Sequence, residues 1–213
     1  MTLSTSKHIV TADAYATAAD FERIFTGDMS GLYLLSFLLA GDPDKAETVF
    51  AAGIEECTRG KRVFKEWARS WARRSIIQSA IRIIRPQPNS QNAARNSAVA
   101  HALERLPLAL QAEASAILEL VPFERFVFVM SVLERYSDHD CSILLACARK
   151  DPAAARARAL QQLATLLSFQ KNEPVALQFS ALRENSGPLI DLTIARYFAT
   201  QMRSLSQDAP LWP

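Results

Sequence analysis

The chain has 213 residues, of which 49% are hydrophobic and 22% are charged. This balance excludes an intrinsically disordered protein, and the length allows one large domain or two small ones, each with its own core. The formal net charge is +2. Such a small surplus does not by itself indicate a nucleic-acid-binding protein, because these proteins bind phosphate through an excess of Lys and Arg.

Cysteine usage and hydropathy indicate a cytoplasmic chain. Cys57, Cys141 and Cys147 are an odd number without a framework spacing, which predicts reduced thiols. The N-terminus lacks the basic start and apolar core of a signal peptide. The longest apolar run, residues 32–40, is too short to cross a bilayer. We therefore expect no membrane insertion.

The first half of the chain is helical in pattern. Apolar residues recur at three- and four-residue spacing over residues 20–40, with a break expected at 26–28. Gly41 is expected to end this helix, and Asp42 to cap the next one, with Pro43 in its first turn. The helices predicted for this half are 20–40, 43–57 and 61–85.

A polar linker over residues 86–96 separates this half from a second helical half, because it contains no apolar residue that could join a core between Pro86 and Asn92. No strand-like alternation is visible. The sequence therefore predicts an all-α protein with two small helical domains, over 20–85 and 97–169, between an N-terminal segment 1–19 and a helical tail 170–213. The helices predicted beyond the linker are 93–106, 107–120, 123–134, 138–148, 151–169 and 189–205; we expect the last to pack on the second half, with a partner as the alternative.

Positive charge is concentrated in one block, residues 59–85, which holds nine Lys and Arg residues and a single acid, Glu66. Trp67 and Trp71 lie one helical turn apart in this block and share a face. Both rings could belong to the core, which is the commoner use of such a stripe. The alternative is that they stack on unpaired nucleic-acid bases beside the basic side chains.

Four segments together resemble the sigma-70 family of RNA polymerase subunits. In the second half, Leu120–Phe128 (LVPFERFVF) and Tyr136–Leu144 (YSDHDCSIL) resemble region 4 of that family, and their spacing is typical of a helix-turn-helix. In the first half, Gly41–Glu47 (GDPDKAE) and Phe64–Arg74 (FKEWARSWARR) resemble region 2. The order of the four segments is similar to the extracytoplasmic-function type, over roughly residues 20–165.

The resemblance implies a bacterial transcription factor in which the first half binds the polymerase core and the −10 promoter element while the second half binds the −35 element. It implies no catalysis, no cofactor and no metal, and an anti-sigma or other regulatory protein as a further partner. The residues expected to contact DNA are Arg62, Lys65, Arg69, Arg73, Arg74, Arg149, Lys150, Arg156 and Arg158. Those expected to contact polymerase are Asp44, Glu47 and Phe50.

The sequence departs from the family pattern in the segments that would contact DNA. Cys147 stands where the helix-turn-helix has its turn glycine, and the segment 152–159 that would read DNA consists largely of alanine. A second hypothesis therefore stays open, in which a sigma-like helical protein acts through protein contacts without binding promoters. Asp138–Cys141 offers ligand types without the paired spacing of a zinc site, and no catalytic motif is present.

Overall fold

The computed structural model describes residues 14–59, 62–88, 97–106 and 108–170. Within these ranges the chain is helical and has no strand, so the predicted all-α class is confirmed. None of the helices in these ranges combines the length and the apolar character needed to span a membrane. The N-terminal residues 1–13, most of the linker (89–96) and the tail beyond residue 170, with its predicted helix 189–205, lie outside the described residues.

Nine α-helices follow one another along the described chain. In the first half they are α1 (Ala18–Gly27), α2 (Met29–Ala40), α3 (Pro43–Thr58) and α4 (Ala68–Ile84), with a 3-10 turn over Lys65–Trp67 leading into α4. In the second half they are α5 (Ser97–Glu104), α6 (Leu108–Leu118), α7 (Pro122–Phe128), α8 (Asp138–Leu144) and α9 (Asp151–Gln170), with α7 continuing into a π turn over Val129–Leu133.

The long helix predicted over 61–85 begins later than expected. The backbone is extended at Phe64, which forms an isolated antiparallel bridge with Tyr15, and the amide of Ala16 donates to the carbonyl of Val63 at 2.7 Å. The pairing partner lies about fifty residues earlier in the chain. The spacing of apolar residues within 61–85 therefore could not predict this extended start. The helix proper starts at Ala68.

Helix α2 lies at the centre of the molecule and is buried on nearly all sides. It packs against α3 and α4 of the first half and against α6, α7 and the π turn of the second. A helix that is apolar around its whole circumference requires such complete coverage. The buried side chains of the two halves consequently form one continuous core.

A buried arginine ties the second half to the end of this central helix. The guanidinium of Arg125 on α7 donates to the carbonyls of Leu39 and Ala40 at 3.3 Å, where the α2 dipole is negative. Gly41 follows with φ of 72°, and a Cβ there would lie 2.5 Å from the guanidinium. Gly41 is thus needed for its backbone conformation and for the space that Arg125 fills. Burial lowers the pKa of Arg125 to about 10, so it stays charged at neutral pH.

Candidate nucleic-acid interface

Three aromatic rings form a row that leads to the start of α4. The ring of Tyr15 stacks on Phe64 with centroids 4.9 Å apart, and Phe64 meets Trp67 edge to face at 5.4 Å. The guanidinium of Arg62 lies over Tyr15, 5.8 Å from the ring centroid. Trp67 ends the aromatic row with 59% of its surface exposed. An exposed indole beside cations is a typical platform for an unstacked base.

The aromatic row opens into a cleft between the two halves, with a volume of about 350 Å³. One wall is a single face of α4, because residues three, four and seven positions apart lie on the same side of a helix. The opposite wall is the turn between the π segment and α8. The residues that line the cleft include Trp67, Trp71 and Arg74 on the α4 side and Arg135, Tyr136 and Asp140 on the opposite side.

An ion pair beside the cleft joins α4 to the second half. The Nε of Arg73 donates to Glu134 at 2.8 Å and its Nη2 at 2.5 Å, and Asp28 lies 3.7 Å from Nη1. Burial alone would lower the pKa of Arg73. The hydrogen bonds and charge of Glu134, with the charge of Asp28, outweigh burial and raise that pKa above its usual value. Arg73, which the resemblance implies for DNA contact, is therefore bound to the second half of its own chain.

The wall opposite α4 is shaped by an unusual backbone. The π turn ends at Glu134, Arg135 has a left-handed φ of 61°, and the amide of Tyr136 donates to Met130 at 2.9 Å. Glycine is the ordinary residue for this conformation, because a Cβ is strained there. Arginine occupies it here, and its side chain lines the cleft. Both π turns and left-handed non-glycine residues are found preferentially at functional sites.

The other basic residues predicted for the first half lie close in sequence to the aromatic row; Arg62 contacts Tyr15 and Arg74 lines the cleft. Arg62, Lys65, Arg69 and Arg74 are all exposed. The side chain of Arg69 is 70% exposed and lies 3.9 Å from Asp28, close enough for a weak ion pair only. Four of the five basic residues predicted for this half are thus exposed.

The second half contains the predicted helix–turn–helix segment. Ser137 caps α8 in a capping box with Asp140, and Asp151 begins α9. Cys147 stands where the family has its turn glycine, but its backbone is not in the left-handed region. The left-handed residue is Ala146, with φ of 50°, so the turn is made one position earlier than the sequence comparison indicated.

Two arginines of α9 are directed at carboxylates of the same half. Arg156 forms an ion pair through both terminal nitrogens with Asp138 on α8, and the Nε of Arg158 donates to Glu124 on α7 at 2.5 Å. Arg149 and Lys150, in the turn before α9, are exposed. The exposed residues predicted for DNA contact in this half are therefore Arg149 and Lys150 at the turn and the ion-paired Arg158, whereas Arg156 is half-buried.

The residues expected to bind polymerase lie on α3. Asp44 and Glu47 are exposed on its first two turns. Phe50 is half-buried and packs edge-on against Phe25 and Tyr33, with ring centroids 5.6 and 5.9 Å apart. The two acids are available to a partner, whereas most of the Phe50 ring serves the packing of α1, α2 and α3.

Sequence reasoning did not assign a binding role to Tyr15, Arg135 or Tyr136. Tyr15 precedes the first predicted helix, and its stacking on Phe64 depends on the chain returning to pair there. Arg135 and Tyr136 reach Trp67 only because the two halves pack. The one local signal was the Arg-Tyr pair directly before the Ser137 cap. Within the described residues, no cluster of His, Cys, Asp or Glu could hold a metal ion.

Comparison with protein-family models, with curated proteins and with solved structures finds no match to this chain. What the fold and the surface define is a class: an all-α protein whose two helical halves share a core and meet at an aromatic, basic cleft.

Proposed function

We propose that this chain is a sigma-70-like transcription initiation protein of the bacterial cytoplasm, which binds RNA polymerase core and promoter DNA and catalyses nothing itself. The observation that carries the proposal is Trp67, exposed at the end of the aromatic row, with Arg74 lining the same cleft. The exposed Arg62, Lys65 and Arg69 lie within five residues of Trp67 along the chain. Stacking of a base on such a ring contributes roughly 1–3 kcal/mol, and the cations neutralise the adjoining phosphates. These features suit the separated strand of a −10 element.

The second half supports a weaker, less specific contact with the −35 element. Arg149 and Lys150 can neutralise backbone phosphates from the turn, which positions a protein on DNA without reading its sequence. The exposed residues of the first two α9 turns are Ala153, Ala154, Ala157 and Arg158, and Arg158 is hydrogen-bonded to Glu124. Alanine contributes little to base readout beyond a contact with a thymine methyl group.

Simultaneous contact with both promoter elements requires the halves to separate. The −10 and −35 elements lie roughly 25 base pairs apart, which is about 85 Å at about 3.4 Å per base pair. A compact chain of this length is roughly 45 Å across. The packed arrangement therefore corresponds to the idle state, and the Arg73–Glu134 ion pair must break before the protein can span a promoter.

The second candidate is a sigma-like protein that acts through protein contacts without binding promoters. A specific observation favours it: Arg156 and Arg158 form ion pairs with Asp138 and Glu124 of their own half, although the Arg158 side chain is still 54% exposed. In this alternative Asp44 and Glu47 would contact the polymerase or another partner while the second half stays packed. An anti-sigma-type regulator would be one such partner.

The test is co-purification of the full chain with core RNA polymerase at low salt, followed by run-off transcription from a pool of genomic promoter fragments. The proposal predicts a stable complex, initiation at discrete sites, and loss of initiation in Trp67→Ala. Ile83→Ala is the matched control, because Ile83 is an exposed apolar residue near the other end of α4. A complex without initiation favours the second candidate, and the absence of a complex refutes the proposal.

A further inference from the structure

We propose that the cleft between α4 and the 134–136 turn is a nucleotide-binding site that exists only while the two halves are packed. Its ligand is a single nucleotide with an amino-bearing base, either free or as one residue of a single strand. The inference goes beyond promoter recognition, because residues that the sigma resemblance does not implicate form one wall of the site. The cleft volume of about 350 Å³ lies at the lower end of small-molecule sites, roughly 300–1,000 Å³.

The walls of the cleft suit a planar base. Trp67 and Trp71 line one wall one helical turn apart, Trp71 partly buried against the core, and Tyr136 lines the other wall. Trp67 is 59% exposed, so its face is open to a ligand. Aromatic residues on both walls of the cleft offer stacking surfaces, and stacking favours any base over an aliphatic group.

The polar groups of the cleft suit the rest of a nucleotide. Arg73 neutralises Glu134, so Arg74 and Arg135 face a single further acid, Asp140. The two arginines can bind a phosphate group. Hydrogen bonds from Ser137 lower the pKa of Asp140 and keep it ionised, and both of these bonds end on Oδ2. The other oxygen, Oδ1, can accept from the exocyclic amino group of adenine or cytosine, which uracil and thymine lack.

The site is composite because its walls belong to different halves. Trp67 directly precedes α4, and Trp71 and Arg74 lie on it. Arg135, Tyr136 and Asp140 come from the segment that follows the π turn. A ligand that touches both walls binds the packed arrangement and not the separated one, so its occupancy stabilises the packed state by mass action. A nucleotide in the cleft would therefore oppose the opening that promoter spanning requires.

The experiment measures quenching of tryptophan fluorescence and the thermal midpoint of the full chain with AMP, CMP and UMP, and in a second arm with short single-stranded oligonucleotides. The decisive variant is Arg135→Gly, which removes the cation and relieves the left-handed backbone, so it should fold at least as well as the parent. Arg85→Gly is its matched control, because Arg85 also has a left-handed φ, 51°, but lies at the far end of α4.

We expect AMP and CMP to bind about tenfold more tightly than UMP, and Arg135→Gly to weaken binding about tenfold while Arg85→Gly leaves it unchanged. Binding of mononucleotides with this pattern identifies a free nucleotide as the ligand. The same pattern with oligonucleotides alone identifies a nucleotide within a strand. The proposal is overturned if the chain binds neither mononucleotides nor oligonucleotides, or if Arg135→Gly binds them as tightly as the parent chain. Polymerase association is scored separately, so its failure leaves this result intact.

Discussion

The guanidinium of Arg73 donates two hydrogen bonds to the carboxylate of Glu134, 61 residues further along the chain. The first residue belongs to α4 and the second to the end of the π turn, so the ion pair joins the two halves beside the cleft. In the sigma-type proposal the same guanidinium contacts a DNA phosphate. Because one guanidinium cannot serve both anions in this geometry, DNA and Glu134 compete for Arg73.

Glu134→Gln should weaken the packing of the two halves. The Glu134 side chain is 9% exposed, and removing its charge leaves the half-buried Arg73 with only the more distant Asp28 as a counterion. We expect the free energy of unfolding, measured with urea, to fall by about 2 kcal/mol. The matched control is Glu55→Gln, whose ion pair with Arg59 is 62% exposed on both sides. It should change stability by less than about 0.5 kcal/mol. Equal effects of the two variants would mean that the Arg73–Glu134 pair does not hold the halves together.

Ala146→Gly should stabilise the helix–turn–helix segment. Ala146 has φ of 50°, which strains a side chain bearing Cβ, and glycine removes that strain. We expect a gain of about 1 kcal/mol in the free energy of unfolding. Ala157→Gly, in the interior of α9, should instead lose about 1 kcal/mol because glycine disfavours a helix interior. If both substitutions lowered the urea midpoint equally, the backbone at Ala146 would not be left-handed and the prediction would be wrong.

Stability should fall above pH 9 because of Cys141. Burial raises the pKa of this thiol to about 12 from an ordinary value of 9.0. The unfolded chain therefore releases the proton first as pH rises, and the folded state loses stability. The loss from this group is about 1 kcal/mol between pH 9 and pH 10. Arg125, whose pKa is lowered by burial to about 10, begins to release its proton over the same interval and offsets part of the decline equally in the parent chain and in Cys141→Ala. Urea midpoints at pH 8, 9 and 10 should show a flatter decline for Cys141→Ala than for the parent chain. Parallel declines would show that Cys141 does not contribute.

The salt dependence of DNA binding should identify which cations of the second half touch phosphate. Arg149→Ala and Lys150→Ala should each reduce the slope of log K against log salt by about 1. Arg156→Ala should leave the slope unchanged while the packed arrangement persists, because Arg156 is bound to Asp138. A reduced slope for Arg156→Ala alone would mean that α9 releases its arginines to DNA.

Helix positions in this chain were largely predictable because they depend on short-range signals. Gly41, Asp42 and Pro43 end one helix and begin the next where expected, and the capping box at Ser137 starts α8. The beginning of α4 was not predictable. It depends on the hydrogen bond between Ala16 and Val63, which the periodicity of 61–85 cannot register.

The candidate site was predictable in its basic residues but not in its construction. A count of charges along the sequence finds the exposed arginines around Trp67, since charge density is a local property. The sequence does not say that Trp67 is exposed while Trp71 packs against the core. It also does not say that Arg73 meets Glu134, or that Arg156 meets Asp138, because these partners are set by the packing of helices that are distant in sequence.

The measurement that tests the sigma-type account most directly is run-off transcription by core RNA polymerase with and without the full chain. The account predicts discrete transcripts that depend on the chain, that disappear in Trp67→Ala and that persist in Ile83→Ala. It also predicts more transcript from Glu134→Gln, whose halves separate more readily. A chain that fails to bind core polymerase at low salt, or whose Trp67→Ala variant initiates as well as the parent, would contradict it.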